Sequence, residues 1–212
     1  MTIRKSLLSG LPAILVALTA SRATATVVLP QNIEQLESQA QWVFVGVCTS
    51  RTATIDEHGI PVHVFTFQVI EPVKGDLKAG NAVRFRQFGS GVPNAQRLAM
   101  RIAGIPTYPI GQKVLLFLNP QSSISLTLPV GLWQGVFQVE RDGNGRDEIR
   151  LDPLRRKLLI GAVNRAKYTA SRRLTAGEDT LLNNPPERVD LLTFCSLVRK
   201  ITEERERREK GM

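Results

Sequence analysis

Hydrophobic and polar positions alternate along this chain in distinct patterns, and each pattern predicts an element. Leu7 to Ala20 is a mostly apolar run, preceded by Arg4 and Lys5 and followed by the small-x-small triplet Ala23-Thr24-Ala25. A charged start, an apolar middle and a small-residue cleavage site are the three parts of a secretory signal peptide. The run is shorter than the ~20 residues a spanning helix needs, and Ser9, Gly10 and Pro12 interrupt it. The expectation is a leader, residues 1–25, that is removed to leave a mature chain from Thr26 with no stable membrane span. No cysteine adjoins the triplet, which argues against a lipid anchor.

Between Gln31 and Gln41, Ile33, Leu36 and Ala40 recur at helical spacing and predict a short amphipathic helix beginning at Pro30 or Gln31. Trp42 to Cys48 is apolar at almost every position and rich in β-branched and aromatic residues, the signature of a strand buried on both faces. Its continuation, Thr49 to Ile55, alternates and reads as more exposed. Asp56-Glu57-His58-Gly59 is turn chemistry, and Val62 to Ile70 returns with alternating faces, which makes a long hairpin. Further strands are predicted at Ala82–Phe88, Lys113–Leu118 and Trp133–Glu140, and after the Asp142-Gly143-Asn144-Gly145 turn at Glu148–Leu151. Residues 89–110, rich in Gly and Pro, read as a long surface loop.

Beyond Pro153 the pattern weakens. Leu154–Tyr168 has helical character but is basic and contains Gly161, and Thr169–Arg188 is polar with Asn183-Asn184-Pro185-Pro186. Asp190 is a candidate N-cap for a last helix whose stripe is Leu191, Phe194, Cys195, Val198 and Ile201, ending in the charged stretch Glu203–Lys210. The predicted organisation is a leader (1–25), a β-barrel domain (26–152), a basic and polar linker or excursion (153–189) and a C-terminal amphipathic helix with a charged tail (190–212). The fold class is mainly β with flanking helices, arranged as a five- or six-stranded antiparallel barrel.

The formal net charge is +9. Loss of Arg4, Lys5 and Arg22 with the leader lowers it to +6, and seven basic residues between Arg155 and Arg173 meet no acid. Such local basicity permits adhesion to anionic polymers without identifying nucleic acid as the partner. Cys48 and Cys195 are the only cysteines. After export they read either as one disulfide or as two buried apolar thiols. A bridge would close a loop of about 150 residues and contribute about 5 kcal/mol at most.

Within residues 29–140, the pieces Ala40–Val47, Phe65–Gly75, Phe88–Gly91, Gly111–Leu118 and Gln134-Gly135-Val136-Phe137 resemble a pattern found in exported bacterial proteins of uncharacterised function. The arrangement resembles an OB-type barrel and, more distantly, the barrel of tissue inhibitors of metalloproteinases and of netrin modules. That inhibitor family reaches a zinc ion with an N-terminal cysteine. This mature chain begins at Thr26, so no site residue transfers from it.

Candidate chemistry is sparse. His58 and His63, with Asp56 and Glu57, are a candidate metal site at the hairpin tip, set against the simpler reading of a polar turn and a strand-edge histidine. Gly89-Ser90-Gly91 lacks the nucleophile-elbow spacing and an evident base. Cys48 lies in an apolar strand that disfavours the thiolate. No phosphate-binding glycine motif is present. Arg84, Arg86 and Phe88 share one strand face and could grip an oligosaccharide or a single-stranded nucleic acid, with Trp133 and Tyr108 as possible stacking surfaces. The reading that results is an exported, periplasmic or extracellular, non-catalytic interaction module with no cofactor, binding a protein or an envelope polymer. The alternatives are a small secreted hydrolase or metal-binding protein using His58 and His63, and a polymer binder on the Arg84 face.

Overall fold

The computed structural model describes residues 29–89, 104–160 and 174–211. The leader, Gly89-Ser90-Gly91 beyond its first glycine, most of the expected 89–110 loop and the second half of the basic run lie outside the described residues.

Helix α1 (Ile33–Gln39) starts at Asn32 rather than at Pro30 or Gln31. The Asn32 side chain accepts from the Gln35 N–H while Gln35 reaches back to the Asn32 N–H, a reciprocal cap that sets the boundary. Ile33, Leu36 and Ala40 are buried as their spacing predicts. Strands β1 (Trp42–Ile55) and β2 (Pro61–Lys74) form the long hairpin, followed by β3 (Ala82–Phe88) and β4 (Lys113–Leu118). A short 3-10 turn at Leu132–Gly135 occupies the start of the fifth predicted strand, so β5 runs Val136–Arg141 and pairs with β6 (Asp147–Arg150).

The stretch expected to be a linker is partly ordered. It holds helix α2 (Pro153–Ile160), helix α3 (Ala176–Asn183) and strand β7 (Arg188–Asp190). Thr175 and Glu178 form a second reciprocal cap at the start of α3, and Leu181 and Leu182 enter the main core. A polar average concealed these two leucines. Helix α4 (Leu191–Glu209) follows, with the Asp190 carboxylate accepting from Thr193 N–H, as its N-cap position predicts.

All described strand pairings are antiparallel, in the order β3-β2-β1-β4-β5-β6-β7. The sheet is open and is not closed into the expected barrel. Its two end strands, β3 and β7, do not pair, and the sheet instead covers both faces with other material. On one face, α1, α3 and α4 pack over Val43, Val45, Leu115, Phe117 and Phe137. On the other, Phe44, Phe65, Phe67, Phe85, Val114 and Leu116 surround Tyr108. Trp42–Cys48 is therefore buried from both sides, as its uninterrupted apolar pattern requires. The pairing of β1 with β2 slips between Val43 and Phe44, between Val45 and Gly46, and between Cys48 and Ser50. A Cβ on Gly46 would stand 2.8 Å from the Phe44 ring and 3.0 Å from the Gln68 carbonyl, so the hairpin bends where only glycine fits.

One buried ion cluster ties the layers together. Glu37 is 0 % exposed and lies 3.0 Å from Lys74 Nζ on β2 and 3.1 Å from Arg205 Nε on α4. Arg205 sits in the stretch expected to be a solvated tail, yet it reaches back to the first helix. Among the described residues, no helix is long and apolar enough to cross a membrane.

Candidate functional site on the β1–β3 arm

Beyond Cys48 the sheet narrows to a three-stranded arm. The backbone of β4 accompanies β1 only from Trp42 to Val47, and the last contacts are Cys48 N–H to Gln112 carbonyl (3.0 Å) and Gly111 N–H to Cys48 carbonyl (2.7 Å). From Thr49 to Ile55, β1 pairs with β2 alone, and all seven residues are exposed.

The register assigns each residue of the arm to a face. Ser50, Thr66 and Arg84 stand in one row, Thr52, Val64 and Arg86 in the next, and Thr54, Val62 and Phe88 in the third. The sequence-predicted trio Arg84, Arg86 and Phe88 does share a face, but its members have separate environments. Arg84 is exposed. Arg86 donates to both carboxylate oxygens of Glu57 at 2.8 and 2.7 Å. The Glu57 pKa lies below the ordinary carboxylate range, chiefly through its own backbone N–H and then through Arg86. Phe88 packs on the small cluster of Val62, Val64 and Leu126. One cation, a row of hydroxyls and no open ring remain.

On the opposite face, the β2 and β3 part of the arm is covered, while Arg51, Ala53 and Ile55 of β1 stay exposed. Tyr108, 1 % exposed, meets Phe65, Phe67 and Phe85 edge-on with ring centroids 4.9, 5.1 and 6.3 Å away. Burial pushes its phenol pKa up. Its hydroxyl accepts from Gln87 Nε2 at 3.5 Å. Tyr108 is a core anchor rather than a stacking surface, and Trp133 is capped by the Arg155 guanidinium 5.6 Å above its ring. Arg155 also donates to the carbonyls of Trp133 and Val136 at 2.9 and 2.7 Å, so the first residue of the basic run is spent on packing.

The histidines do not converge. His58 is exposed in the turn, while His63 is 4 % exposed in β2 and lies edge-on to Phe65. Asp56 uses one oxygen to accept from the N–H groups of His58 and Ile60, which builds the turn. Among the described residues, no three His, Cys, Asp or Glu side chains come together to hold a metal.

The disulfide alternative is corrected. Both cysteines are free and buried. Cys48 lies in the aromatic cluster and Cys195 in the helix-covered cluster, so the sheet itself stands between them. Burial raises the pKa of Cys48 and pushes that of Cys195 up to about 12, which suits packed thiols and not nucleophiles.

Sequence reasoning missed the feature that distinguishes the arm, its unpaired backbone. In the hairpin, Asp56 N–H donates to Ile60 carbonyl. Alternation from that pair directs the N–H and C=O of Ser50, Thr52 and Thr54 toward β2, and those of Arg51, Ala53 and Ile55 outward. Pro61, which has no N–H, falls opposite Ile55 at a position where none is needed. The outward groups of Arg51 and Ala53 meet no partner among the described residues, and the Ile55 carbonyl receives only the Thr54 hydroxyl at 3.3 Å. The polar turn in the sequence of β1 after Cys48 was the available signal.

Of the sheet's other edges, one is short and the other has a single backbone contact among the described residues. The Arg86 carbonyl on β3 accepts from Thr127 N–H at 2.8 Å, and β7 is three residues long. Comparison with protein families and with curated proteins finds no match to this chain.

Proposed function

We propose that the chain is an exported, non-catalytic interaction module whose binding element is the outer half of β1, which takes an extended polypeptide segment as an additional strand. The observation that carries this reading is the exposed backbone of Arg51, Ala53 and Ile55 on a rigidly rooted strand. An unpaired edge of this length is a template for another strand, and proteins usually blunt such edges. Thr49, Thr52 and Thr54 combine strand propensity with polarity, which keeps the open edge compatible with water. The export setting rests on the leader pattern. The proposed kinship with exported bacterial proteins carrying OB-like domains rests on the helix, apolar strand and long hairpin.

A second reading, an anionic or sugar polymer on the Arg84 face, is favoured by exposed Arg84 beside Ser50, Thr52 and Thr66. It is weakened by the engagement of Arg86 and Phe88.

Capture from envelope and culture-medium fractions by the mature protein separates the two. Ala53→Pro removes an outward N–H and leaves the β1–β2 bonds in place. The expected result is a polypeptide retained by wild type and by Arg84→Glu, and lost with Ala53→Pro. Equal retention by Ala53→Pro contradicts the edge reading, and loss with Arg84→Glu alone transfers the site to the arginine face.

A further inference from the structure

We infer that the cavity where β6 gives way to α2, flanked by Arg150, Arg155 and Arg156, is a binding site for a phosphate group, free or carried as an ester. The site uses the beginning of the basic run, which a strand-binding edge leaves without a role, and it stands whether or not the β1 edge takes up a strand.

The chain turns from β6 into α2 through Leu151 and Asp152, beside a cavity of about 440 Å³. Its cations are Arg150, Arg155 and Arg156, and its carboxylates are Asp152 and Glu187. Both carboxylates are already engaged. Asp152 accepts from the Leu154 and Arg155 N–H groups at 2.9 Å each, which caps α2, and its other oxygen lies 3.4 Å from the Arg155 guanidinium. Glu187 lies 3.4 Å from Arg150, and an ion pair this exposed contributes little and exchanges readily. One positive charge is left over, and it is on Arg156. Among the described residues, the Arg156 side chain makes no hydrogen bond or ion pair.

The Nε atoms of Arg155 and Arg156 are both buried without a hydrogen-bond partner. Buried donors left unmade are costly, and two of them on successive arginines of one cavity wall call for a function. Arg155 is held in place by the Trp133 and Val136 carbonyls and lies over the Trp133 and Phe137 rings. Burial pushes its pKa down, and an anion beside it would oppose that shift. Arg156 is half-buried and unengaged, so its fork is available to a ligand. Guanidiniums arriving from the end of β6 and from two successive positions of α2 suit the tetrahedrally disposed oxygens of a phosphate, whereas a planar carboxylate is satisfied by one fork. The volume leaves room beyond a single phosphate and falls in the range of small-molecule sites. Gln138, exposed on β5, lines the same cavity and makes no side-chain hydrogen bond among the described residues, so its amide can serve the hydroxyls of an esterified group.

Isothermal titration calorimetry of the mature protein with inorganic phosphate, glycerol 1-phosphate and acetate at constant ionic strength tests this, with circular dichroism confirming that each variant is folded. Trp133 fluorescence is a local second readout, because the Arg155 guanidinium links its ring to the cavity. The expected result is saturable binding of both phosphates, about tenfold weaker in Arg156→Gln, unchanged in Arg84→Gln, and no saturation by acetate. Arg156→Lys keeps the charge but loses the fork and should fall between wild type and Arg156→Gln. Tighter binding of glycerol 1-phosphate than of inorganic phosphate identifies an esterified ligand, and equal binding identifies the free ion; either upholds the site. Absence of saturable binding of both phosphates overturns it. So does an affinity that Arg156→Gln leaves unchanged, which places the anion elsewhere, and so does acetate binding as tight as phosphate, which reduces the cavity to unselective attraction of anions.

Discussion

The two halves of β1 are one strand in two environments. Trp42–Cys48 has β2 on one side, β4 on the other, helices above and aromatic rings below. Thr49–Ile55 has only β2 beside it and no covered face. The change takes place at Cys48, where β4 departs and the pairing with β2 slips by a residue. The buried half fixes the position and direction of the exposed half, and the exposed half contributes little to what holds the fold together. On the proposed reading, stability and recognition are divided along a single strand, and a binding edge on a rigid root would lose little conformational entropy on pairing.

Substitutions should separate the halves by the size of their effects. Phe44→Ala opens a cavity in the aromatic cluster and should cost about 4 kcal/mol in chemical denaturation. Glu37→Gln leaves Lys74 and Arg205 facing each other without their shared carboxylate and should cost about 3 kcal/mol. A smaller effect should come from pH. For buried Glu178, burial alone would raise the pKa, but Lys200, the Thr175 N–H and Ser196 outweigh it and hold the carboxyl below its usual range. The unfolded chain then takes up this proton first as pH falls, so stability present at neutral pH should be lost through the acidic carboxylate range. Glu178→Gln should flatten that part of the pH–stability curve. At the exposed half, Thr52→Ala should change stability by about 0.5 kcal/mol or less. A loss at Thr52 as large as that at Phe44 would erase the distinction between the halves.

Much of the framework was legible from periodicity. Strand β3 and strand β4 occupy the predicted residues, the α4 stripe is buried, and the apolar run of β1 is covered on both faces. What escaped was set by tertiary context. Leu181 and Leu182 form too short an apolar signal to reveal α3 within a polar stretch. Tyr108 sits among prolines and glycines, and nothing local says that four aromatic residues from β2, β3 and the loop share one pocket. Closure into a barrel was expected from the series of strands and from the resemblance to an OB-type barrel, but pairing order decides closure, and β3 and β7 are kept apart by the sheet between them. The face shared by Arg84, Arg86 and Phe88 followed from alternation. The Glu57 partner of Arg86 did not, because the hairpin turn brings it across from a distant position. The open edge was hidden for a related reason: sequence gives a strand's faces, whereas its neighbours are a property of topology.

Residue-resolved hydrogen exchange along β1 tests the central claim most directly. In dilute protein, the amides of Phe44 and Val45 should be strongly protected, Thr52 and Thr54 should be protected by β2, and Arg51, Ala53 and Ile55 should exchange rapidly. Strong protection of Arg51, Ala53 and Ile55 at the lowest concentration would mean that the edge is already covered within one chain, and the account of β1 as a binding strand would fail.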